Sequence, residues 1–134
     1  MSKEIGEFTL THNGFTYGTN SKGEIVNSSH FVGKATCYGP VWGTLISSQP
    51  FVHNSFQTKA DTNVRAGECQ WTGTAFMDDG SQLGSLGSGT WKKSSDNHKW
   101  NMTLNLDLSD GGKHRLEGST DLETLIFSGK IYQG

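Results

Sequence analysis

Proline is nearly missing from this chain. Two prolines stand in 134 residues, Pro40 and Pro50, and both fall where a strand is expected to stop. Cysteine is as scarce. Cys37 and Cys69 lie in separate predicted strands, and the favoured reading makes them small buried thiols of a reducing compartment rather than a disulfide. A chain of this length buries a core without such staples. No stretch approaches the ~20 consecutive apolar residues of a membrane span, and the N-terminal MSKEIGEF has no apolar signal region. Those two absences lead to the expectation of a cytoplasmic protein with no membrane partner, although a secreted protein trimmed of its signal reads the same way. Charge of one sign is also missing. The net charge is −2 and no block of like charges occurs, so there is no basic stripe for a nucleic acid or an anionic lipid surface.

Chemical signatures are absent too. There is no HExxH, CxxC, GxSxG or EF-hand loop. None of the five histidines, His12, His30, His53, His98 and His114, is paired at a metal-ligand spacing such as i, i+2. No metal and no cofactor are expected. Gly84–Thr90 has the glycine spacing of a phosphate loop, but no lysine follows and no helix begins, so these are read as strand glycines. Asn27-Ser28-Ser29 and Asn101-Met102-Thr103 match a glycosylation pattern and are taken as chance. Helical periodicity is not sustained anywhere; Ser2–Gly6 is the one weak candidate for a helical turn. With no linker, boundary or exact repeat, residues 1–134 read as one domain.

What is present is glycine, 18 of them, set among aromatics. The stretch Gly67–Trp91, GECQWTGTAFMDDGSQLGSLGSGTW, alternates large apolar with small residues, turns at Asp78-Asp79-Gly80 and alternates again. That is a hairpin signal, and strand glycines mark bends or close approaches. Strands are predicted at Glu7–Tyr17, Glu24–Tyr38, Val41–Ser48, Phe51–Thr58, Arg65–Met77, Gln82–Lys92, His98–Ser109, Lys113–Asp121 and Thr124–Gln133. The second is long enough to break at Asn27-Ser28-Ser29. The fold class that follows is all-β, a single small antiparallel barrel of about eight strands, since closure removes the exposed edges. A two-sheet sandwich is the alternative.

The candidate site residues depend on which strand faces point inward. Glu68 and Gln70, and Arg115 and Glu117, are i, i+2 pairs on polar faces. If they face the lumen, Glu68 or Glu117 acts as general acid or base; if they face out, they are solvated pairs of little energetic weight, and the outward reading is favoured. His53, in FVHNSF, is the histidine best placed to titrate inside a cavity. Tyr38 or Arg115 would stabilise developing negative charge. Trp42, Trp71, Trp91 and Trp100 are read as core or as the walls of a pocket for a flat or apolar ligand. Glycines opposite aromatic rings are expected to leave volume beside them.

GTAFMDDGSQLGSLGSGTW followed by LSDGGKHRLEGSTDL and FSGKIY resembles the strand grammar of small calycin-type barrels, especially the allene oxide cyclase-like group. The resemblance spans roughly 33–132. It implies a lumen for small apolar molecules and, in some members, cyclisation, isomerisation or elimination with few polar residues. The functional expectation is a barrel holding a small, largely apolar organic molecule, with acid–base chemistry as a cofactor-free isomerase, cyclase or lyase. A non-catalytic carrier or a lectin-like sugar binder is the alternative. A homo-oligomer is expected if the apolar stripe Trp100–Leu108 lies outside.

Overall fold

The computed structural model describes residues 3–49, 66–94 and 98–134. Eight strands follow one another: β1 (Glu4–Thr19), β2 (Ile25–Ala35), β3 (Gly39–Gln49), β4 (Ala66–Phe76), β5 (Gln82–Lys93), β6 (Lys99–Leu108), β7 (Lys113–Asp121) and β8 (Ile126–Gln133). Each pairs antiparallel with its neighbour in sequence, and β1 pairs with β8 to close the barrel. The sandwich alternative is not what forms. Among the described residues there is no helix, and so none long and apolar enough to cross a membrane.

Period-two alternation places one face of each strand inside. Along β6, Leu104, Leu106 and Leu108 are buried while Asn101, Asn105 and Asp107 are exposed. The stripe from Trp100 to Leu108 therefore fills the barrel, and the condition under which it would need a second copy is not met. Phe8, Leu10, Phe31, Leu104, Phe127 and Ile131 are almost wholly buried. Each such side chain contributes on the order of 1.5–3 kcal/mol by leaving water.

Glycines on the inner face accept neighbours instead of leaving space. A methyl group built on Gly89 would stand 1.7 Å from the Thr103 carbonyl oxygen, so β5 and β6 approach there as only glycine allows. Gly43 and Gly73 lie under the Trp71 ring, and Gly67 lies under Trp91. These glycines seat the rings, and the open volume expected beside Trp91 lies at a cavity that its ring borders.

Three further expectations change. The segment offered as a helical turn is already extended from Glu4. β2 runs unbroken through Asn27-Ser28-Ser29, helped by Ser47 donating its hydroxyl hydrogen to Asn27 Oδ1 across the β2–β3 pair. Cys37 lies in the turn between β2 and β3, not in a strand, because the chain already reverses after Ala35, where the Tyr38 N–H bonds the Ala35 carbonyl. Cys37 and Cys69 are both free. The predicted strand Phe51–Thr58, with His53, lies outside the described residues.

The irregularity falls on β1 instead. His12 pairs with Phe31 and Gly14 with His30, which leaves Asn13 as the extra residue of a bulge. In a regular strand two residues three apart face opposite ways. Here the bulge turns both His12 and Phe15 toward the lumen, where their rings stack at 4.6 Å.

Candidate functional site

A layer of rings crosses the barrel. Phe8 meets Phe127 edge-on at 4.9 Å, Phe127 meets Phe31 at 5.3 Å, and Phe31 meets Trp71 at 6.4 Å. On one side of it lies a cavity of about 30 Å³ bordered by Leu10, Tyr38, Val41 and Leu108. That is room for little more than a water. Tyr38 closes this end. Its ring stacks on His114, and its hydroxyl hydrogen-bonds His114 Nδ1. Burial, followed by the neighbouring Cys37 thiol, pushes the Tyr38 phenol well above its usual value.

The other side holds a larger cavity, about 180 Å³. Its apolar walls are Phe15, Phe31, Leu45, Trp91, Trp100 and Met102. Its polar lining is His12, Asn27, Ser29, Ser47 and Thr120. Among the described residues no carboxylate and no lysine or arginine lines it. Cys69 also borders it, with burial pushing its thiol up to about 11, so it is not a thiolate at neutral pH.

Three of these lining side chains are unusual. Both ring nitrogens of His12, the Nε1 of Trp91 and the Oγ1 of Thr120 are buried without a hydrogen-bond partner among the described residues. Thr120 and Trp91 are 5% and 8% exposed. Buried polar groups are nearly always paired, and each exception asks for an explanation. His12 also packs on Phe31 at 4.4 Å, and burial lowers its pKa, which keeps the imidazole neutral. Strand register fixes where these groups stand. Thr120 pairs with Trp100 on one side and with Phe127 on the other. Phe127 in turn pairs with Leu10, the inward residue before His12. Trp91 pairs with Met102 on the adjacent strand.

Two residues in the left-handed region, His98 at φ 61° and Leu125 at φ 62°, are bonded through their carbonyls to residues that line this cavity. The His98 carbonyl accepts from Leu122 N–H, and the Leu125 carbonyl accepts from His12 N–H. The turns after β5 and β7 are thereby tied together, and the second is tied to β1.

The residues singled out from sequence distribute unevenly. Trp91 and Trp100 line the larger cavity. Trp71 borders the small one, donating its N–H to Ser85 Oγ at 3.0 Å, and Tyr38 lies at that same end. Trp42 is on the outer wall, 62% exposed, with its edge against Phe76. Glu68 is exposed on the outer face of β4. Arg115 and Glu117 are on the outer face of β7, where Arg115 Nε sits 2.7 Å from Glu117 Oε2 and the guanidinium lies over Tyr132. The lumen-facing alternative for Glu68, Arg115 and Glu117 is not realised, because the register sends Cys69, Leu116 and Thr120 inward instead. His53 lies outside the described residues. His30, on β2, has both ring nitrogens bonded, to Thr16 and Thr44 hydroxyls.

Sequence reasoning missed His12 and Thr120. Each follows an inward apolar run at spacing two, Phe8-Leu10-His12 and Leu116-Gly118-Thr120. A polar residue continuing an apolar stripe was the available signal. Among the described residues no three His, Cys, Asp or Glu side chains are grouped as metal ligands. Compared with family models, curated proteins and solved structures, the chain finds no match.

Proposed function

We propose that this protein binds a small, largely apolar organic molecule in the larger luminal cavity. The observation that carries the proposal is a concave space of about 180 Å³ with aromatic walls and a few polar side chains, Asn27, Ser29 and Ser47 among them, in its lining. Ligand sites have this make-up: mostly apolar, with a few polar atoms that fix orientation. An apolar cavity of ~150 Å³ takes a benzene ring, so the space suits a ring-sized ligand or the ring of a longer one. Membership of the calycin-type, allene oxide cyclase-like barrels belongs to this proposal. The eight-stranded meander supports it as architecture, and architecture is weak warrant for activity. The lectin-like alternative has less support, since Trp42 is the one tryptophan of the four that is broadly exposed for stacking on a sugar.

Passive binding is the first reading. One observation favours a second, acid–base catalysis: His12 is an imidazole in the cavity wall whose pKa burial lowers and whose nitrogens have no hydrogen-bond partner among the described residues. In that reading His12 takes the part first sought in Glu68, Glu117 and His53, and the reaction is a cofactor-free isomerisation, cyclisation or elimination.

Titration with an apolar fluorescent probe tests the site. Trp91 and Trp100 line the cavity, so their emission should change with occupancy. Met102→Trp fills the cavity from β6 and should abolish the response while circular dichroism shows a folded barrel. A folded Met102→Trp variant that binds as well as the wild type sinks the proposal.

A further inference from the structure

The rings of β1 continue beyond the cavity. His12 stacks on Phe15 at 4.6 Å, and Phe15 stacks on Tyr17 at 6.1 Å with the ring planes 17° apart. Phe15 lines the larger cavity and is 42% exposed, so it stands at an opening. Tyr17, 67% exposed, carries the same stack into solvent. The two strands beside this ladder change character over the same distance. The inward side chains of β2 run Phe31, Ser29, Asn27, and those of β3 run Leu45, Ser47; all five line the cavity. Each step of two residues advances about 7 Å along a strand. Register sets Phe15 opposite Ser29, Tyr17 opposite Asn27, and Asn27 opposite Ser47. Aromatic surface on β1 therefore faces a lining on β2 and β3 that turns from apolar to polar toward Tyr17. Ser47 donates its hydroxyl hydrogen to Asn27 Oδ1, so the pair still presents the Asn27 amide hydrogens as donors and the Ser47 oxygen as an acceptor.

Resting on the binding reading above, we infer that the ligand is an elongated amphiphile: an aryl ring seated beside Phe15, Phe31 and Leu45, joined by a short chain to a hydroxyl or amide head at the Asn27–Ser47 pair, with Tyr17 as the aromatic flank of that outer end. A ring that filled only the cavity would leave Phe15 and Tyr17 in water. A chain lying along them removes that apolar surface from solvent. The rise from the Phe15–Ser29 level to the Tyr17–Asn27 level calls for a chain of about four atoms.

Calorimetric titration with toluene, pentylbenzene and 4-phenylbutan-1-ol separates the parts of this inference. Tyr17→Ala removes an exposed ring, so the barrel should stay folded. It should weaken both long ligands about fivefold and leave toluene within about twofold of wild type. Asn27→Ala should weaken 4-phenylbutan-1-ol about fivefold and leave pentylbenzene within about twofold. Ser47→Ala repeats that comparison if Asn27→Ala does not fold. Long-ligand affinity that is unchanged in Tyr17→Ala, or a loss shared equally by toluene, overturns the outer flank and leaves the binding reading standing. If the alcohol and the hydrocarbon respond alike to Asn27→Ala, the polar head is overturned. If no member of the panel binds, the binding reading itself falls, and the elongated ligand falls with it.

Discussion

The Trp71 ring rests on the backbone of Gly43, so close that a methyl group on that glycine would stand 2.2 Å from Cζ2. A ring wedged between β3 and the inner layer cannot retreat, because Phe31 and Gly73 hold its other sides. Gly43→Ala should therefore cost about 3 kcal/mol, the upper part of the range for an overpacked core. Gly18→Ala is the matched control, with open space around the added methyl and a negligible effect. Urea unfolding of both variants checks the difference; equal midpoints would refute the packing argument.

Thr120→Val should stabilise the protein. The hydroxyl is buried without a partner among the described residues, and valine has the same shape without the desolvation penalty, so a gain of about 1 kcal/mol is expected. A loss of stability in Thr120→Val would mean that the hydroxyl is well satisfied.

Acid should weaken the fold through two histidines. Burial lowers the pKa of His12 below 6.5, and it lowers that of His114 as well, where Asp110 opposes the shift. The unfolded chain then binds protons more readily than the folded one. Their contribution is complete above pH 6.5 and is lost as pH falls from there through the depressed folded-state values. Thermal midpoints should drop between about pH 7 and about pH 5, and His12→Leu should flatten part of that drop. An unchanged slope in His12→Leu would show that His12 is not the titrating group.

Leu125 holds φ 62° with its side chain half in solvent. The left-handed region costs an ordinary residue about 1–2 kcal/mol, and glycine gives back about 0.5–1 kcal/mol in chain entropy. Leu125→Gly should therefore raise stability by about 0.5–1 kcal/mol. A clear fall in the unfolding midpoint would show that the leucine side chain packs more than its exposure suggests.

Much of the barrel was legible in the chain. The Asp78-Asp79-Gly80 turn, the spaced glycines of β5 and the five-residue stripe of β6 each carry a local signal, and closure follows from the need to hide edges. The site was less legible for two physical reasons. Which strand face is inner depends on register across the sheet, so Glu68 and Glu117 stayed ambiguous until Cys69 and Leu116 were seen to point inward. The bulge at Asn13 then broke the alternation at the one place where it mattered, bringing His12 and Phe15 together against the period-two rule. Glycine spacing beside tryptophans pointed to a cavity, and the larger one is bordered by Trp91 and Trp100, although the glycines under the rings are themselves covered.

The order of pairing has a kinetic consequence. Seven of the eight strand pairs join neighbours in sequence, and the last joins Glu4 to Tyr132 at opposite ends of the chain. Six of those seven pairs close over links of three to five residues and form early, the β3–β4 pair spans a link of sixteen, and the final seam must restrain nearly the whole chain at once. Until that seam zips, the protein is a curled ribbon with two open edges, the outer edges of β1 and β8. Substitutions in β8 should then slow folding through ring closure, and crowding of nascent chains should favour edge-to-edge pairing between molecules at that seam rather than elsewhere.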